Sequence, residues 1–524
     1  MSRSFFKSTS VVGLTTLASR VTGLLRDVAY SQAFGAGTLM DAFLVAFKIP
    51  NFLRRLFAEG AFSQSFVPVI SEYKIQRSSA EVRELVGGVS GTLGGVLLVV
   101  TAIGVIGAPL IILLFAPGFS QEAGKLELAV EMLRWTFPYL FFVSLTALFS
   151  GVLNSYGRFA IPAFTQVVMN LVMIAFAVGI ATHSENPGRV LAIGVFVAGL
   201  AQVLVQLPSV ARLGLLARPR WQPAADGVRR IGRLMLPGIF GSSMAQLSLL
   251  LDTLIASFLM TGSIAWLYYA DRLMEFALGV FSIALATVIL PGLSAQHAAG
   301  DRERFSTTID WALRLVVLVV VPAAVGLFVL AGPITATIFG YGQFSDRDVQ
   351  MTQYGLMAYS WGLIGFSLVK VLAPGYFARQ DTRTPVRVGL IALGVNMALN
   401  LLIVLPAHYA GFATPFVLLA TSTCISAAVN SVLLWRGLQR EGVYKPAAGW
   451  VRLLWQVMIA NGAMVAVLLL VTPPLGAWLA HTPLERAGQL AATIAAAGTV
   501  YGAALWVAGM RVQQLRNRGG AESS

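Results

Sequence analysis

Charge is what this chain has least of. Only 11% of its 524 residues are Asp, Glu, Lys or Arg, against about 25% in soluble domains. With 57% hydrophobic residues and a mean hydropathy of +0.76, that scarcity excludes a soluble globular enzyme and a disordered protein. Cysteine is nearly absent. Cys424 alone excludes a disulfide framework and a thiolate metal site. The four histidines, His183, His297, His408 and His481, never cluster along the chain, which argues against zinc or haem. No G-x-x-x-x-G-K-[ST] loop is present, so the chain carries no P-loop for ATP. Long polar loops are missing too. An enzyme acting on membrane lipids would present catalytic carboxylates or histidines on such a loop, so no enzymatic activity is expected.

What the chain does have is apolar length. A membrane-spanning helix needs roughly 20 apolar residues, and the runs here are long and do not alternate. They predict an all-α polytopic membrane protein rather than a barrel of strands. Fourteen spans are expected near 9–32, 40–72, 85–116, 123–153, 160–182, 189–212, 229–260, 264–297, 305–340, 346–378, 385–406, 410–437, 449–473 and 484–511. The first contains Arg20 and Arg26 and is followed by further spans, so it reads as a helix rather than a cleaved signal. Basic residues collect at alternate breaks: Arg3 and Lys7; Lys74, Arg77 and Arg83; Arg158; the cluster from Arg212 to Arg233; Arg302 and Arg304; Arg379, Arg383 and Arg387; Arg436, Arg440, Lys445 and Arg452; and Arg511 to Arg518. The opposite ends hold Lys125, Arg189, Arg347 and Arg486. That bias places both termini in the cytoplasm. It also accounts for most of the net charge of +14 without a nucleic-acid partner.

The chain repeats itself once. Ser150-Gly151 through Pro162 resembles Pro374-Gly375 through Pro385, and Gly37-Thr38 resembles Gly262-Ser263. Six spans separate the copies, and an even number keeps their orientation, so two parallel repeats are expected. The predicted organisation is an N-lobe over 1–217, a C-lobe over 218–444, and a thirteenth and fourteenth span with a cytoplasmic tail over 445–524.

Charges inside the spans carry the functional signal. Arg20, Arg26 and Asp27 fall in the first span. Asp41, Lys48, Arg54, Arg55 and Glu59 fall in the second, and Asp271, Arg272 and Glu275 in the eighth. Arginine costs about 2.5–3.5 kcal/mol at a helix centre, so Arg20, Arg26, Arg54 and Arg272 facing lipid would cost roughly 10–14 kcal/mol together. They are expected to face a wet cavity or an acidic partner. Thr16, Arg20, Gly23 and Asp27 recur at helical spacing and share one face. Pro50 should kink the second span just before Asn51 and Arg54. Arg55 and Glu59 are spaced as a helical ion pair, and Asp27 as a neutraliser of Arg20 or Arg26. A surplus of fixed cations in a low-dielectric cavity points to an anionic ligand, because the arginine fork favours phosphate or carboxylate. A cation exporter would show an acidic cavity instead.

The runs Ser19-Arg20-Val21-Thr22-Gly23-Leu24-Leu25-Arg26-Asp27, Asp41-Ala42-Phe43, Phe47-Lys48-Ile49-Pro50-Asn51 and Tyr269-Ala270-Asp271-Arg272 resemble the MurJ (MviN) family of the MOP exporter superfamily. The resemblance implies a flippase for lipid II, the undecaprenyl-diphosphate-linked precursor of bacterial peptidoglycan. It implies alternating access between two lobes in the cytoplasmic membrane, with the last two spans helping to hold the lipid tail. A monomer and no nucleic-acid partner are expected. The family's cavity arginines fall on Arg20, Arg26, Arg54 and Arg272, and its carboxylates on Asp27, Asp41 and Glu59. Some members resemble sodium-binding transporters, and Asp252, Asn396 and Asn400 match that pattern, although the hydroxyl ligand is replaced around Phe412–Phe416. Interhelical polar contacts are the competing reading of these three. No other cofactor is implied, and membrane-potential coupling stands beside sodium. An exporter of another anionic lipid-linked oligosaccharide, such as an O-antigen-type flippase, is the alternative function.

Topology is open to direct test. Reporter fusions near Ala224 and at the C-terminus should both read cytoplasmic, and an outward reading at either would overturn the assignment.

Overall fold

The computed structural model describes residues 3–55 and 62–510, with side chains from residue 13 onward except at 236–249 and 280–288. Among the described residues every regular element is a helix. Ten helical segments are long and apolar enough to cross a bilayer, beginning with Ser79–Ile106 and Lys125–Ser155 and ending with Trp450–Val471 and Pro483–Val507. The expected spans outside that set correspond to Arg3–Phe34, to Thr38–Arg54 with Ser63–Gln76, to Asp226–Ser257 and to Ser263–Ala298. These stretches carry Arg20, Arg26, Asp27, Asp41, Lys48, Arg54, Asp271, Arg272 and Glu275 of the charges that the sequence places inside spans.

Helices dominate because a chain in lipid must satisfy its own backbone hydrogen bonds. The breaks are chemically marked. Ser78 with Glu81, Ser345 with Asp348 and Thr482 with Glu485 form capping boxes that close the first turns of long helices. The outward faces are apolar: Leu470 is 85% exposed and Leu484 84%. In water such a surface would aggregate. In a bilayer it is solvated, and the chain is an integral membrane protein.

The expected span at 40–72 is described in two parts. Helix Thr38–Arg54 runs through Pro50, and a new helix starts at Ser63. Residues 56–61, including Glu59, lie outside the described residues.

The internal repeat is visible in local conformation. Helix Tyr139–Ser155 ends with Gly157 in the left-handed region, and Arg158 N donates to Leu153 O at 2.9 Å. Helix Asp346–Phe377 ends with Gln380 in the same region, and Asp381 N donates to Tyr376 O at 3.1 Å. Both are the terminal turn in which a residue with positive φ lets the chain reverse onto its own last carbonyls. Gln380 adopts there a conformation that costs a side-chain-bearing residue more than glycine. The next helices start at Ala160 and Arg383, and each passes into a π-helical stretch, Ala175–Ile180 in one and Asn400–Val404 in the other.

The chain forms two compact units, 1–265 and 266–524. In the first, Phe66, Val86, Val152, Val210 and Ile231 share one core, so helix Asp226–Ser257 packs with the helices that precede it. In the second, the last two long helices pack on the Arg302–Val329 segment. Leu318 meets Leu453, Val457 and Leu505, and Leu330 meets Met464, Leu468 and Ala497. Two polar anchors hold them. Asp310 accepts from Arg314, Tyr444, Trp450 and the amide of Ala447. Arg486 donates to the carbonyls of His481, Ala336, Gly340 and Leu479.

One close approach tests the packing of the first unit. A Cβ on Gly118 would lie 2.2 Å from Ser257 O and 2.6 Å from Phe258 N, backbone atoms that cannot rotate away. Gly118→Ala should destabilise by about 1–3 kcal/mol and lower the thermal midpoint in detergent. Gly498→Ala, which meets nothing within 4 Å, should leave it level or slightly higher. A parental midpoint for Gly118→Ala would show that this contact is absent.

Candidate functional site

The first helix meets helix Ala160–Ile174 around a buried ion pair. Arg26 is 5% exposed and Asp27 fully buried. Arg26 Nε and Nη2 both donate to Asp27 Oδ1, at 3.1 and 2.8 Å, and Nη1 donates to Asn170 Oδ1 at 3.2 Å. Asn170 turns its amide back on the first helix, donating to Ser19 O and Thr22 Oγ1. Gly23 faces this contact, and a Cβ there would lie 3.6 Å from Asn170 Nδ2, an ordinary van der Waals distance. Tyr30 lies under the guanidinium, with the ring centroid at 5.6 Å. Asp27 therefore neutralises Arg26 rather than Arg20. Arg20 is half-buried on the same helix and makes no hydrogen bond or ion pair among the described residues.

Asp41 has a different setting from the cavity charge that the sequence suggests. It is 1% exposed and sits in the first turn of helix Thr38–Arg54. Its Oδ2 accepts from Gly262 N at 2.8 Å and its Oδ1 from Ala265 N at 2.9 Å. It thus caps the start of helix Ser263–Ala298, where free amides and the helix dipole favour an anion. Lys125, itself 3% exposed, donates to Asp41 Oδ2 at 3.1 Å and to Glu122 Oε2 at 2.9 Å. Glu122 in turn accepts from Thr38 and Thr261, each at 2.6 Å. Three helix starts, at Thr38, Lys125 and Ser263, are thereby tied into one clasp. Desolvation pushes the Glu122 carboxyl up, but the bonds from Thr261, Thr38 and Lys125 together outweigh it and hold it below the usual range. Its contribution is complete above the ordinary glutamate pKa and fades as pH falls through the lowered value.

Further along this helix, Lys48 donates to Thr253 Oγ1 at 3.2 Å and Arg54 Nε to Asn51 Oδ1 at 2.8 Å. Arg55 is half-buried where the helix passes into π geometry. In the second unit, Arg272 Nη1 donates to Glu275 at 3.0 Å and Nη2 to Tyr268 Oη at 3.1 Å. The guanidinium lies over the Tyr268 ring and its side chain is 33% exposed. Asp271 is half-buried next to it, and Lys370 is exposed on helix Asp346–Phe377.

Asn396 and Asn400 are both buried, and the Ser422 hydroxyl donates to Asn400 Oδ1. The Ser422–Asn400 bond is an interhelical polar contact, and a hard cation held here would rely on neutral amide oxygens from these two residues. Among the described residues no group of three or more His, Cys, Asp or Glu is placed to hold a metal. Asp252 is half-buried in the first unit.

Sequence reasoning missed Lys125, Glu122, Thr261 and Asn170. Lys125 read as one of the few cations at the opposite ends, and its partner Asp41 lies 84 residues away. A lysine at a span boundary, flanked by Glu122 and Glu127, was the available signal.

A family model described as "Lipid II flippase MurJ" matches residues 30–486. A "Probable lipid II flippase MurJ" of Vibrio cholerae is 44% identical over 523 residues, covering 98% of each chain. A "Lipid II flippase MurJ" of Burkholderia cenocepacia is 40% identical, covering 98% of this chain and 99% of the relative. Among solved structures, "Lipid II flippase MurJ, inward closed conformation" superposes with a TM-score of 0.77 at 24% identity, covering 94% of this chain and 97% of that one. An inward-facing MATE-family multidrug transporter of the MOP superfamily gives 0.62 at 14% identity, with 81% and 95% covered. These two likenesses speak to the fold alone. The sequence matches span nearly the whole chain, and the chain belongs to the MurJ family of lipid II flippases.

Proposed function

We propose that this protein carries lipid II from the cytoplasmic to the outer leaflet of the bacterial cytoplasmic membrane. The observation that carries the reading is the family match at 40% identity and above over nearly the full chain. The arginines inside otherwise apolar helices supply its chemistry. No bond is made or broken. A diphosphate must leave water on one face and regain it on the other, and fixed guanidinium groups replace its hydration on the way.

In this reading fourteen helices cross the bilayer with both termini in the cytoplasm, as the basic bias requires. An N-lobe over 1–217 and a C-lobe over 218–444 rock about a central cavity, and the helices in 445–524 add a surface for the lipid tail. The protein works as a monomer. Arg20, Arg54 and Arg272 face the headgroup. Arg26 joins them by exchanging its bonds to Asp27 and Asn170 for phosphate oxygens. Lys48, Arg55, Asp271 and Glu59 tune the charge of the cavity. Energy comes from the membrane potential or an ion gradient.

The clasp around Asp41 is the outer latch. While it holds, the starts of the second, fourth and eighth spans are drawn together and the outer mouth is shut. Opening exposes Asp41, Lys125 and Glu122 to water, which can replace each lost bond. A latch at a membrane boundary can therefore open repeatedly, where the same cluster at mid-bilayer could not.

Alanine at Arg20 or Arg272 should weaken headgroup binding by about 1.5–3 kcal/mol per lost charged hydrogen bond, roughly 10- to 150-fold. Lysine should rescue only partly, because it keeps the charge and loses the fork. The readout is lipid II accessibility from outside the cell after depletion of the resident flippase. A folded, inserted Arg20→Ala/Arg272→Ala double variant that exports at the parental rate would refute the cationic-cavity mechanism.

A further inference from the structure

The chain between helices Pro187–Ala211 and Asp226–Ser257 is extended over residues 215–222, and it lies in a groove on helix Ser79–Ile106. That groove is made of glycine. A Cβ on Gly87 would lie 3.0 Å from Arg218 O, one on Gly91 2.2 Å from Arg220 O, and one on Gly95 2.6 Å from the Trp221 ring. Arg220 N donates to Gly87 O at 2.9 Å, and Gln222 N donates to Thr92 Oγ1 at 3.1 Å. The strap is thus seated by backbone bonds in a channel that any larger side chain would fill. Leu215 is buried at its start.

Its side chains point elsewhere. Arg218 and Arg220 are exposed, and their side chains make no hydrogen bond or ion pair among the described residues. Trp221 is 62% exposed, although one edge of its ring rests on Gly95. Gly87 to Gly95 spans about 12 Å of helix, so the indole sits roughly that much farther along the helix than the Arg218 carbonyl. The helix surface just beyond is apolar and exposed, at Val96, Leu98 and Val99. An indole at the edge of an apolar belt, with two guanidinium groups behind it, matches the interface of a bilayer, where tryptophan prefers the headgroup level and arginine meets phosphate.

We infer that the strap Arg218–Trp221 is a binding site for the phosphate headgroup of an anionic glycerophospholipid. Arg218 and Arg220 grip the phosphate and Trp221 wedges among the acyl chains' upper segments. The occupant is a bulk anionic lipid because two exposed guanidinium groups call for an anionic head and the exposed Val96, Leu98 and Val99 for acyl chains. The strap leads directly into helix Asp226–Ser257. Gly227 already abuts Leu85 and Tyr73, and Arg230 bonds to Glu72 at 2.9 Å. A bound lipid therefore holds the start of that helix against its neighbours. That the leaflet is the cytoplasmic one rests on the topology proposed above; the binding itself does not.

The test uses the purified full-length chain in zwitterionic nanodiscs, titrated with fluorescent phosphatidylglycerol. Arg218→Gln/Arg220→Gln should bind it about 10- to 30-fold more weakly, with fluorescent phosphatidylcholine unaffected. Arg218→Lys/Arg220→Lys should recover binding to within a few-fold. Parental affinity in the glutamine variant, or lysine binding as weakly as glutamine, would overturn the site. Full displacement of phosphatidylglycerol by equimolar undecaprenyl diphosphate would overturn the choice of occupant. Separately, Arg220→Cys in a Cys424→Ser background should react with an impermeant maleimide in inside-out vesicles only. Reaction in spheroplasts would sink the topology and leave the lipid site standing.

Discussion

An ionised side chain can lie among apolar helices only where something replaces the water it has lost. That constraint sorts the charges of this protein into two groups. Some are satisfied by the protein itself. Arg26 has Asp27 and Asn170, Asp310 has Arg314, Tyr444 and Trp450, and Arg486 has four backbone carbonyls. Each of these holds helices in place. Others, such as Arg20 and Arg272, retain exposure and can turn to an anion from outside. The clasp of Asp41, Lys125 and Glu122 stands between the groups. It is internally satisfied, yet every member lies at a helix start where water can take over its bonds.

The fold was legible in the sequence wherever local chemistry decides it. Apolar runs marked the helices, and Gly, Pro, Asn and Ser clusters marked the breaks. The repeat was legible from Gly151 and Pro162 against Gly375 and Pro385, and the structure adds a pair that no residue-type match could supply. Gly157 and Gln380 share one backbone conformation without sharing a side chain. Pro50 pointed to a kink just before Asn51, and helix Thr38–Arg54 runs through the proline.

The candidate site was legible by type and not by pairing. A buried arginine is visible as an arginine in an apolar run, but its partner is set by how helices pack. Asn170 lies 144 residues from Arg26, and Gly262 lies 221 from Asp41. No local pattern links residues so far apart. The same holds for the glycine groove. Gly87, Gly91 and Gly95 lie four apart on one helix face, but that the chain of residues 218–222 occupies the face is set by packing. Asn396 and Asn400 were visible as polar residues in apolar helices, but the Ser422 partner of Asn400 lies on another helix and was not.

If the clasp is the outer latch proposed above, it opens in every transport cycle. Thr38 and Thr261 donate to the two oxygens of one carboxylate, Glu122, so their side chains are close enough for a short thiol-to-thiol cross-linker. Thr38→Cys/Thr261→Cys, built in a Cys424→Ser background, would be cross-linked in cells that depend on it for lipid II export. Outer-leaflet lipid II should fall to background once the two cysteines are bridged, while either single-cysteine chain treated alike should export normally. Undiminished export from a fully cross-linked population would contradict the account.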